Sequence, residues 1–131
     1  MTEEMLPLTR RAVACRGFRW VRGMLRHDGY RYIGSGVWAR WSDTAAVVTA
    51  LHMPEQYPDL TDAPTIGGLL ALVREAWGCA VITSPGYDYD DEARQGPHVT
   101  GWRAVETEQW MMVGEGATEA EALVAALESA P

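Results

Sequence analysis

Pro58-Asp-Leu-Thr-Asp-Ala-Pro-Thr-Ile-Gly-Gly-Leu-Leu-Ala-Leu-Val-Arg-Glu-Ala-Trp-Gly78, followed at once by Cys79-Ala-Val-Ile-Thr-Ser84, decides how this chain is read. Thr61 or Asp62 can accept from the free amides of a first helical turn, and Pro64 sits where its missing N–H costs little. Ile66, Leu69, Leu70, Val73 and Trp77 recur at helical spacing and form one stripe, which predicts a helix over Asp62 to Trp77 with that stripe buried. Gly78 supplies the left-handed residue that stops it. The short, β-branched run that follows predicts a central strand.

The same signals recur toward the C-terminus. In Ala117-Thr-Glu-Ala-Glu-Ala-Leu-Val-Ala-Ala-Leu-Glu128, Thr118 and Glu121 have capping-box spacing, and Ala120, Leu123, Val124 and Leu127 form the apolar stripe of a helix over Thr118 to Glu128. Before it, Val99 to Val105 and Gln109 to Val113 predict a hairpin. A turn centred on Thr107 would set Trp102 opposite Met112 and Ala104 opposite Trp110.

At the other end, Met1 to Leu6 reads as loose, and Pro7 opens a short helix with Leu8, Ala12 and Cys15 on one face and Gly17 as its stop. Phe18 to Arg26 predicts a bulged or edge strand, because Arg19, Arg22 and Arg26 do not keep a period of two. His27-Asp28-Gly29 is a hairpin turn signal, with Tyr30 to Ile33 returning as the second strand. After the Gly34-Ser35-Gly36 connector, Val37 to Trp41 alternates as a strand. Ala45 to Leu51 reads as a further strand, His52 to Leu60 as a surface connection, and Pro85 to His98 as a loop. The order is that of an α+β fold: one domain over residues 1–131, with an antiparallel or mixed sheet, two amphipathic helices packed on it and a short N-terminal helix.

The Asp59-Leu-Thr-Asp62 entry into a Gly-Leu-Leu-Ala-Leu-Val-Arg-Glu-Ala-Trp-Gly helix, the Trp-bearing strands and the terminal Gly-Ala-Thr-Glu-Ala-Glu-Ala-Leu-Val-Ala-Ala-Leu-Glu helix together resemble small phage and prophage proteins of unknown function. The likeness covers roughly Pro58 to Ala130 and implies a small α/β sandwich of viral or prophage origin. It brings no catalytic motif with it.

The length allows one hydrophobic core without a covalent staple. Cys15 and Cys79 belong to no Cys-x-x-Cys or Cys/His cluster and read as reduced, partly buried thiols, which points to a cytosolic protein, and the phage resemblance implies that the cytoplasm is that of a bacterial host. No apolar run approaches the ~20 residues of a membrane span, and Glu3 and Glu4 precede any hydrophobic stretch, unlike a signal peptide.

Metal and catalytic motifs are weak. A calcium loop beginning at Asp88 and using Asp90, Asp91 and Glu92 would want Gly where Ala93 stands and Glu where Val99 stands. His27, His52 and His98 lack zinc-ligand spacing, and Gly34-Ser35-Gly36 is neither a nucleophile elbow nor a phosphate loop. We therefore expect no enzyme, no catalytic residue, no metal and no cofactor.

The net charge of -7 hides a division. Residues 1–41 carry eight Arg against three acids, a balance of +5, and residues 42–131 carry three Arg against fifteen acids, a balance of -12. Lys is absent, as a GC-rich coding sequence would also produce. The basic third interleaves guanidinium groups with aromatic rings, and Arg19, Trp20, Arg22, Arg26, Tyr30, Arg31 and Arg40 are its candidate binding residues. Two readings follow. In the first the chain is a non-catalytic phage accessory protein that binds a host or phage protein, with a homodimer through the Phe18 to Ile33 hairpin anchored by Trp20. In the alternative this third captures a nucleic acid or nucleotide by charge pairing and stacking, against the repulsion of the acidic remainder.

Overall fold

The computed structural model describes residues 3–41, 46–49, 56–88 and 98–131. The fold is α+β, with three α-helices and two three-stranded antiparallel sheets among the described residues. Helix α1 spans Leu6–Ala14, α2 Ala63–Trp77 and α3 Glu119–Glu128. Strands β1 (Arg31–Gly34), β2 (Val37–Trp41) and β3 (Ala46–Thr49) form one sheet in that order. Strands β4 (Val81–Asp88), β5 (His98–Glu106) and β6 (Met112–Gly116) form the other.

Both long helices start and stop on the side chains that the sequence offers. Asp62 is the N-cap of α2 and accepts from the Thr65 amide at 3.1 Å, and Gly78, at φ 68°, closes it. Thr118 caps α3 by accepting from the Glu121 amide at 3.2 Å. Glu121 in return accepts from the Ala117 amide at 2.6 Å, one residue earlier than the usual reciprocal bond.

The stripe of α3 is buried as expected, with Ala120, Leu123, Val124 and Leu127 all at 4% exposure or less. That of α2 is rotated. Leu69 and Val73 are buried together with Thr65, Gly68 and Leu72, while Ile66, Leu70 and Trp77 are half-buried at its margin. Gly68 lies on the buried side, where its missing side chain leaves room for Met24, whose Cε would lie 2.9 Å from an added Cβ. The Trp77 indole donates to the Ala126 carbonyl at 2.8 Å and joins α2 to α3.

Several expected features are corrected. Phe18 to Arg26 is not a strand: the chain turns at Val21 to Met24, with Gly23 at φ 100°, and only Leu25 and Arg26 make isolated bridges, to Arg31 and Pro58. The off-period arginines leave no face that a sheet could bury. The turn itself is present, since Gly29 has φ 92° and the Arg26 amide donates to Tyr30 at 2.7 Å. Residues 3–6 are not loose; Glu3–Met5 is a 3-10 turn leading into α1, and Met5 packs on the core.

The connection before α2 is not a surface one at its end, where Pro58 and Leu60 are buried. Strand β4 is an edge strand and β5 is central. An edge has one side free of pairing, so β4 tolerates Pro85 and runs on to Asp88, into what the Gly and Pro content marked as loop. Of that loop, residues 89–97 lie outside the described residues, and with them Asp90, Asp91 and Glu92 of the rejected calcium pattern.

The β5–β6 register also differs from expectation. Trp102 pairs with Gly116, Ala104 with Gly114 and Val105 with Met112, with a bulge at Val113. The cause is a wide turn organised by a buried carboxylate. Glu106, 8% exposed, accepts from the amides of Glu108 (2.9 Å), Gln109 (3.0 Å) and Met111 (3.1 Å).

Helix α3 packs against all three strands of this sheet, with α1 and α2 beside it. The core lies between α3, α2 and the face of the sheet that carries Val81, Ala104 and Val113.

Candidate protein-binding surface

The seven residues singled out by charge and aromaticity do not form one open face. Arg19 is exposed but paired with Glu75 at 2.5 Å. Arg31 donates to Asp62 at 3.0 and 3.2 Å and to the Gly23 carbonyl at 2.6 Å. Burial works against ionisation of Asp62, but the hydrogen bonds from Arg31 and Thr65 outweigh it and hold the carboxyl below the usual carboxylate range. These acids lie far along the chain, so the acidic part pairs with some of the arginines of the basic third within one molecule, Arg11 with Glu128 among them.

Arg26 is 4% exposed and belongs to the interior. Its guanidinium grips Asp28 with two bonds of 2.6 and 2.7 Å and lies between two rings, 4.6 Å from the centroid of Tyr30 and 4.9 Å from that of Trp38. Its Nη1 has no hydrogen-bond partner among the described residues, and the ring faces supply the negative potential that an acceptor would otherwise provide. Arg40 covers Tyr30 at 4.9 Å, and Trp38 continues the stack edge-to-face onto Trp20 (4.6 Å) and Tyr32 (5.1 Å).

Trp20, half-buried, also meets Phe18 at 5.6 Å. It is therefore a packing residue of the N-terminal hairpin region rather than a free anchor. Arg22 is exposed, and neither it nor Arg40 makes an ion pair among the described residues.

Sequence reasoning missed the surface that stands out by exposure. Trp110 is 68% exposed, Met111 58% and Met112 51%. Three consecutive large apolar side chains project from the Glu106 turn, which is also tied to the body of the protein by the Thr107 amide donating to the Ala80 carbonyl at 3.0 Å. Trp110 holds φ 59°, a left-handed conformation that costs a non-glycine residue about 1 kcal/mol or more. The Glu106 hydrogen bonds to the amides on either side offset that cost and order the turn that carries the exposed ring.

Beside this knuckle lies a cleft of about 220 Å3 lined by Trp77, Cys79, Met111, Met112 and Val113. Desolvation, then the charges of Glu108 and Glu106, push the Cys79 thiol up, away from the thiolate that a nucleophile needs. Burial likewise raises the Cys15 thiol, which donates to the Arg11 carbonyl. The sequence signal for the knuckle was the polar run Glu106-Thr-Glu-Gln109, long enough to lift Trp110 and Met111 out of a tight hairpin.

Among the described residues no three His, Cys, Asp or Glu side chains gather as metal ligands would, and no helix is long and apolar enough to cross a membrane. No family model, no curated protein and no solved structure matches the chain. The surface chemistry is what a functional reading rests on.

Proposed function

We propose that this is a non-catalytic accessory protein of phage or prophage origin that acts in the bacterial cytoplasm by binding a host or phage protein through the Trp110–Met111–Met112 knuckle. The observation that carries the reading is the outward display of these three side chains on a turn pinned by Glu106. Trp supplies interface anchors at low conformational cost, Met adapts to a partner's relief, and a turn already ordered before binding loses little entropy on docking. The cleft beside Met111 offers a seat for one apolar side chain of the partner.

The alternative, capture of nucleic acid on the Arg-rich third, finds less support. Arg19 and Arg31 are each held by a carboxylate and Arg26 is interior, so phosphate would have to displace existing ion pairs. A homodimer through the Phe18 to Ile33 hairpin is not part of this reading either, because Trp20 is committed to Phe18 and Trp38.

The test is capture from a bacterial lysate, with and without nuclease, by wild type and by Trp110→Ser. A protein retained by wild type after nuclease treatment and lost with Trp110→Ser supports the reading. Capture unchanged by the substitution, or abolished by nuclease, overturns it.

A further inference from the structure

Among the described residues, helix α3 covers one side of the second sheet. It packs on β4, β5 and β6, and its backbone comes so close to Gly114 and Gly116 that neither position has room for a Cβ. Cross-strand partners share a face, so the register identifies what stands on the opposite side. Ile82 pairs with Val105 and Val105 with Met112, making an apolar row across all three strands. Ser84 pairs with Arg103 and Arg103 with Glu115, making a polar row beside it. Ile82 is 41% exposed and Met112 51%, and Arg103 and Glu115 are exposed. Among the described residues, α1 and the strands of the first sheet make no contact with this sheet, and α2 reaches only β4, where Arg74 Nε donates to the Val81 carbonyl at 2.9 Å.

We propose that the occupant of this face is a second copy of the chain, packed sheet to sheet about a two-fold axis that runs along β5 and β6 and between them. This proposal does not rest on the knuckle reading, although Met112 belongs to both surfaces.

The face is complementary to itself in charge. Arg103 and Glu115 stand opposite each other on neighbouring strands, yet neither makes an ion pair among the described residues. The stated axis exchanges the positions of β5 and β6. It therefore sets Arg103 of one copy over Glu115 of the other and repeats the contact in the reverse sense. The same operation sets Val105 over Met112 twice, burying the apolar row at the moment the charges pair. A partner of uniform charge would satisfy one of the two side chains and repel the other. A patch carrying one charge of each sign at corresponding positions is complementary to itself.

The experiment is sedimentation equilibrium on the full chain from about 5 to 200 μM, with circular dichroism to confirm folding. Wild type is expected to dimerise in that range. Arg103→Glu alone, or Glu115→Arg alone, brings like charges together and should raise the dissociation constant roughly tenfold or more. An equimolar mixture of the two variants pairs a chain offering two carboxylates with a chain offering two guanidinium groups, and should recover wild-type affinity to within about threefold. Both positions are exposed, so folding should survive each change. A wild-type monomer at ~200 μM, a dimer indifferent to both reversals, or a mixture that fails to recover would each overturn the proposal.

Discussion

Gly114 lies directly beneath Ala122 and Ala126: a Cβ added at position 114 would stand 2.6 Å from the Ala126 amide nitrogen and closer still to the Ala122 carbonyl oxygen. Helix α3 can reach the sheet only because β6 offers glycine there. Alanine at 114 has no flexible side chain to displace, only helix backbone. Gly114→Ala should therefore cost about 2 kcal/mol or more, read from denaturant melts. Gly67, in the middle of α2 with open space around its Cβ position, is the control. Gly67→Ala should stabilise by about 0.5–1 kcal/mol. Equal effects at the two sites would contradict the close approach.

The rotation of α2 predicts unequal costs for neighbouring leucines. Leu69 is 1% exposed and Leu70 half-buried. Leu69→Ala should cost roughly 2–5 kcal/mol, as other buried leucines do. Leu70→Ala should cost less than ~2 kcal/mol, since less apolar area leaves water there. Thermal or chemical melts that rank the two the other way would restore the stripe read from periodicity.

Arg26 should behave as a core residue. Arg26→Ala removes the packing between Tyr30 and Trp38 and leaves Asp28 without its partner. Because Asp28 keeps 41% of its side-chain exposure and can rehydrate, the expected cost is about 2–3 kcal/mol, below that of breaking a fully buried pair. Arg26→Lys should recover little of it, as an ammonium cannot make the two-pronged contact or lie flat against both rings. A melting curve unchanged by Arg26→Ala would return this side chain to the surface.

Acid should loosen the knuckle before it unfolds the core. The amide of Met111 is the main influence that holds the Glu106 carboxyl below its ordinary range; burial opposes it, and the amides of Gln109 and Glu108 add to it. A carboxyl depressed in the folded state contributes stability that is present above its unfolded value and lost as pH falls through its folded value. The melting-temperature gap between wild type and Glu106→Gln should therefore be full at neutral pH and close as pH drops from the ordinary glutamate range downward. Trp110 fluorescence should shift over the same interval in wild type only. A gap constant from neutral pH to pH 3 would show that this carboxylate does not hold the turn.

Local signals were legible in the sequence and long-range ones were not. Asp62, Gly78, Thr118 and Glu121 act within one or two turns of chain, so the limits of α2 and α3 could be read directly, and the Leu123 to Leu127 stripe with them. The phase of α2 could not, because its buried side includes Gly68, where Met24 packs from more than forty residues away.

The arginines divide along the same line. Their density in residues 1–41 was visible, but whether each faces solvent depends on acids as remote as Glu75, which is 56 residues from Arg19, and Asp62, which is 31 from Arg31. Alternation along β4 and β5 separated Ile82 from Val81 and Val105 from Ala104, but the register of β6 and its bulge at Val113 brought Met112 onto the face of Ile82 and Val105. Only the tertiary structure decided which of these faces α3 covers and that Glu106 turns inward to lift Trp110 out. A period of two fixes the two sides of a strand relative to each other and is silent about which of them meets water.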